Sequence, residues 1–74
     1  MSGQSAFLVE GAVVEILPNR LLRVRLANGH QLLGHLARRQ VPLFERVRVG
    51  ATVAVKLSPG DLSHGHVILN ESKL

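Results

Sequence analysis

The sequence predicts an all-β fold, a five-stranded barrel, and three observations carry that reading. Apolar and polar residues alternate with period 2 in several short stretches, which is the signature of half-buried strands. Turn-forming residues separate those stretches at close intervals. One irregular segment, lying between the third and fourth strands, breaks the pattern.

The first strand runs from Phe7 to Leu17. Its interior Gly11 marks a bend or bulge that lets one long strand serve two sides of a barrel. Val14 and Ile16 are assigned to the core. Leu17-Pro18-Asn19-Arg20 turns the chain, since Pro and Asn are ready-made turn formers. In Leu21–Leu26, Leu22, Val24 and Leu26 point inward while Arg23 and Arg25 point out. Asn28-Gly29 predicts a type I′ hairpin, because both residues tolerate positive φ. The return strand, residues 30–36, sets Leu32, Gly34 and Leu36 on one face. Residues 37–49 lose the alternation. Ala37-Arg38-Arg39-Gln40 suits a helical turn and Pro42 stops a longer regular helix, so a short helix or loop is expected there. Residues 52–57 alternate again, with Val53, Val55 and Leu57 inward. Ser58-Pro59-Gly60-Asp61 and Ser63-His64-Gly65 read as a turn-rich connection, and residues 67–69 as the closing strand, with Val67 and Leu69 in the core. Five strands with an irregular insertion between the third and fourth describe an OB fold.

Composition narrows the function. Seventy-four residues make a single domain, 1–74, with 1–5 and 71–74 expected to be flexible. A chain this short buries only about 60% of its unfolded surface, so its stability margin is thin. There is no cysteine, which excludes disulfides and thiolate metal sites and fits a reducing compartment. No apolar run nears the ~20 residues that span a bilayer, and the first residues lack the features of a secretory signal. A soluble cytoplasmic protein without a membrane partner is the expectation.

The charge is unevenly placed. Residues 1–19 carry −2, residues 20–48 carry seven arginines against Glu45 for +6, and residues 49–74 are neutral, which makes the net +4. Clustered arginine suits a polyanion, nucleic acid above all. The alternative is a solvated face that keeps a small domain soluble.

Beyond these patterns, the sequence resembles bacterial translation initiation factor 1. The residues that carry the resemblance are Glu10-Gly11-Ala12-Val13-Val14-Glu15, Leu17-Pro18-Asn19, Arg23-Val24, Leu26, Asn28-Gly29-His30, Gly34-His35, Val55, Leu57-Ser58-Pro59, Asp61-Leu62-Ser63 and Gly65. They fall in register without a gap from about Phe7 to Leu69. The resemblance implies an S1-like, RNA-binding OB barrel that occupies the decoding A site of the small ribosomal subunit. It implies contacts to ribosomal RNA and a ribosomal protein, alongside the other two initiation factors. It implies no catalytic residue, no cofactor and no small-molecule substrate, and a monomer is expected. The family's basic stretch, roughly S-G-K-M-R-K-N-Y-I-R-I, here reads from Ala37 to Val47, with Val41 and Pro42 at two basic positions, Phe44 for the aromatic and an added Glu45. His64, His66 and Asn70 replace basic residues near the end, and Glu71 follows. This marks a divergent or second-copy member.

The candidate RNA-binding residues are Arg23, Arg25, Arg38, Arg39, Phe44, Arg46, His64 and His66. Arg23 and Arg25, spaced by two on one strand face, can reach the same phosphate track. Arg38, Arg39 and Arg46 sit on the irregular segment, where a rigid barrel presents functional loops. Phe44 either stacks on a base or caps the open end of the barrel. With Phe7 as the other aromatic, a multi-base stacking platform is missing, so recognition is expected to be electrostatic and shape-based. Four histidines without cysteine or an obvious acidic ligand do not make a zinc site, although His64 and His66 share a face if their strand starts early. No carboxylate pair or phosphate loop points to catalysis. A cold-shock-like RNA chaperone and a protein-interaction barrel are the alternative functions.

Overall fold

A computed structural model of the chain describes residues 6–69. The expectations for 1–5 and 71–74, and for Asn70, lie outside those residues. Five strands, β1 (Phe7–Leu17), β2 (Leu21–Leu26), β3 (Gln31–Leu36), β4 (Thr52–Ser58) and β5 (Asp61–Ile68), close into a barrel in the order β1-β2-β3-β5-β4. Every pair is antiparallel except β3–β5, which is parallel. This is the OB fold that the strand pattern predicts, and closure removes the open edge on which other strands could pair. Among the described residues, no helix is long and apolar enough to cross a membrane.

β1 does serve both sides. It pairs with β4 from Phe7↔Leu57 to Ala12↔Thr52, and with β2 from Gly11↔Leu26 to Leu17↔Leu21. The bulge, however, falls at Val14 rather than Gly11, since Val13 faces Val24 while Glu15 already faces Arg23. An extra residue switches the inward phase along the strand. Val13, not Val14, is therefore the buried residue, at 1% exposure. Ile16 returns to the inner side opposite Leu22, but at the open end of the barrel, where it is 41% exposed.

The rest of the expected core holds. Leu22, Val24, Leu32, Val53, Val55, Leu57, Val67 and Leu69 are buried, and Leu26 packs half-buried against them. Val47 joins them from the segment without alternation. Gly34 and Gly65 face each other across the parallel β3–β5 pair. A Cβ on Gly65 would lie 2.5 Å from Val55 Cγ1 and 2.8 Å from Leu57 Cδ2, so the core fills the space that glycine leaves.

Three local expectations are corrected. The β2–β3 turn is not type I′: Gly29 has φ 90° while Asn28 does not take positive φ. The Gly29 N–H donates to the Leu26 carbonyl at 2.9 Å. The His30 N–H donates to the Asn28 side-chain oxygen, also at 2.9 Å. A three-residue loop ending in a left-handed glycine matches the strand twist as well as a primed turn does. β5 begins at Asp61, so Ser63-His64-Gly65 belongs to a strand and only Pro59-Gly60 turns the chain. The irregular segment is a 3-10 helix, Arg38–Arg46, with Pro42 inside it. Its closing bonds flank the proline, with Gln40 N–H to the Ala37 carbonyl and Val47 N–H to that of Phe44. Tight turns spaced around Pro42 thus avoid needing the N–H that proline lacks. The Gln40 side chain clamps this helix to the barrel, donating to the Leu69 carbonyl (3.0 Å) and accepting from its N–H (3.1 Å).

Candidate nucleic-acid interface

Strand register decides which outward side chains share a row across the barrel wall. In one row Glu15 faces Arg23, Arg23 faces Leu33, and Leu33 faces His64. In the next, Leu21 faces His35, His35 faces His66, and His66 faces Lys56. Adjacent strands stand about 5 Å apart, so three imidazoles and a lysine gather in one patch, with Arg23 about 10 Å from His64. The His35 and His64 rings stack with centroids 5.5 Å apart at 28°, and His66 lies tilted 6.5 Å from His35.

Two shallow depressions follow this wall and share His35, Leu36 and Arg38. One extends to Lys56, Asp61, His64 and His66; the other reaches Asn19, Arg20 and Pro42. Together they form a groove edged by Arg20, Arg38, Lys56 and the three histidines. Arg20 reaches it from a short 3-10 turn, Pro18–Arg20, in which Asn19 and Arg20 take φ of 64° and 59°. Asparagine tolerates that left-handed conformation; for arginine it costs about 1 kcal/mol or more.

Asp61, the acid on the groove lining, is held by its neighbours. Its Oδ1 accepts the Ser63 N–H (3.1 Å) and the Ser63 hydroxyl (2.8 Å), and these bonds lower its carboxyl below the usual carboxylate range. With its proton given to Asp61, the Ser63 oxygen accepts from His64 Nδ1 at 3.1 Å, which orients that ring. The order is wrong for nucleophilic catalysis, because there the histidine must accept the serine proton. Among the described residues, no three His, Asp or Glu side chains converge to hold a metal.

The expected site residues divide into three groups. Arg38, His64 and His66 come together on the groove. Arg23 and Arg25 face outward on β2, but Arg23 Nε donates to Glu15 Oε1 at 3.1 Å. With side chains 40% and 56% exposed, that pair contributes only about 0–1 kcal/mol and leaves Arg23 available to exchange partners. Arg39 and Arg46 are exposed on the 3-10 helix and line neither depression. Phe44 is half-buried against the core, on the rim of a further depression with Pro18, Arg20 and Pro42. Among the described residues, Arg25, Arg38 and Arg39 form no ion pair.

Sequence reasoning missed His35, Lys56 and Arg20 as members of one surface. The signal was present in their outward parity, but only the non-local pairing of β3 with β5 assembles it. His30, by contrast, is structural: its Nε2–H donates to the Leu62 carbonyl at 2.8 Å and ties the β2–β3 turn to β5. Arg48 is occupied too, its Nη1 donating to the Glu45 and Val47 carbonyls at the helix end.

No family model matches the sequence. Among solved structures, the chain is similar to translation initiation factor 1 from the Wolbachia endosymbiont (strain TRS) of Brugia malayi, whose structure was determined in solution. The two share 33% identity over 88% of this chain and 77% of that one, with a TM-score of 0.70.

Proposed function

Because this chain belongs to the translation initiation factor 1 family, we propose that it binds the small ribosomal subunit at the decoding A site through ribosomal RNA, alongside the other two initiation factors and a ribosomal protein. It acts there as a cytoplasmic monomer and by occupancy, with no bond made or broken. The observation that carries this reading is the similarity over nearly the whole chain, in a barrel that presents seven arginines clustered within residues 20–48. Phosphate contacts supply affinity, while the fixed barrel supplies the shape that picks one folded RNA surface over others.

Sedimentation with purified small subunits tests it, with large subunits and an unstructured RNA as controls. The expected result is saturable pelleting at one copy per small subunit, with much weaker binding to either control. Equal affinity for all three RNAs would instead describe a cold-shock-like chaperone, and no binding to any would describe a protein-interaction barrel.

A further inference from the structure

The histidine patch combines flat rings with charge. Two of its rings, His64 and His66, stand at period 2 on the outer face of β5, and β3 brings His35 against both. All three are exposed. Imidazole faces serve as stacking surfaces for unpaired bases, as the faces of Phe, Tyr and Trp do. His64 is fixed from below by Ser63 and Asp61, so little ring freedom is left to lose on binding. Cations flank the rings: Lys56 lies across β4 from His66, and Arg38 shares the groove lining. A stacked base with cations placed for the adjoining phosphates is the arrangement by which single strands are held.

We propose that His35, His64 and His66 form a base-stacking subsite that takes one unstacked base of an RNA strand, with Lys56 and Arg38 on its flanking phosphates. The inference rests on RNA being the partner and deepens that reading: it gives part of the recognition to base faces, on a chain nearly without Phe, Tyr or Trp.

The test is an NMR titration of the intact protein at neutral pH with a single-stranded RNA trinucleotide, compared with the same trinucleotide made abasic at its centre. The intact strand is expected to move the ring protons of all three histidines upfield and to bind at least about fivefold more tightly than the abasic one. His64→Phe, which keeps a ring and removes the titratable nitrogens, is expected to preserve that preference; His64→Lys, which keeps a cation and removes the ring, is expected to lose it. Amide spectra of both variants check that the barrel is intact. Equal affinity for the two strands, or retention of the preference in His64→Lys but not in His64→Phe, overturns the subsite. Small-subunit sedimentation is run in parallel. Pelleting by a protein that shows no base preference removes the subsite and leaves ribosome binding standing; a base preference in a protein that does not pellet does the reverse.

Discussion

Gly65 shows how one missing side chain positions a site. Its neighbours His64 and His66 point out because Gly65 points in, onto Val55 and Leu57. A methyl group there would also come within 3.1 Å of the Lys56 carbonyl oxygen, a backbone atom that does not yield easily. Gly65→Ala is therefore expected to destabilise the barrel by about 1–3 kcal/mol, measured by urea unfolding; an unchanged midpoint contradicts the packing described. Asp61 is the second residue with a clear expectation. Its carboxyl is lowered first by the Ser63 hydroxyl and then by the Ser63 N–H, so the folded state favours the charged form. The associated stability is present above the ordinary carboxylate range and is lost as pH falls through the lowered value. Melting followed from neutral pH to about pH 2 should show this acid-side loss diminished in Asp61→Asn, with the two proteins falling in parallel if Asp61 plays no part. At this scale the outward placement of Arg23 and Arg25 was legible from alternation alone. The grouping of His35 with His64 and His66 was not, because it depends on which strands meet.

The bulge in β1 explains most of the difference between expectation and structure among the elements. A period-2 pattern read through Phe7–Leu17 carries one phase, and a run of apolar residues such as Ala12-Val13-Val14 offers no polar mark where the phase changes. Val13→Ala is expected to cost about 2–3 kcal/mol and Val14→Ala less than about 1 kcal/mol, since only the first empties a fully buried site. The opposite order in thermal or urea melts would restore a regular strand. β2, β3 and β4, which lack such interruptions, read correctly. The 3-10 helix was only half legible, because Pro42 argues against an α-helix without forbidding tight turns on either side. Its attachment rests on Gln40, whose amide meets both backbone groups of Leu69. Gln40→Ala is expected to cost about 1–2 kcal/mol. It should also raise hydrogen exchange in the helix before the barrel, whereas uniform exchange would show that the clamp is not what holds it.

For the whole molecule, charge distribution is the feature that links fold to partner. The six-charge excess of residues 20–48 is spread over β2, the 3-10 helix and the turn that carries Arg20, so it faces outward from more than one side of the barrel. Compared with the family's pattern, basic character is absent at Val41, Pro42, His64 and His66. Every phosphate that goes without a cationic partner reduces the steepness of log affinity against log salt by roughly 0.7–0.9. Binding to small subunits is thus expected to be less salt-sensitive than for a fully basic relative, and Val41→Arg to steepen it; an equal slope would mean that Arg20 and Arg38 compensate.

Chemical probing of the small-subunit RNA with this protein bound is the most direct measurement. Protection should fall on the decoding A site and disappear for the Arg39→Glu, Arg46→Glu double variant, whose melting should remain close to that of the parent. Unchanged reactivity at the A site, in a sample where the protein still pellets with the subunit, would place the interface elsewhere and contradict decoding-site binding.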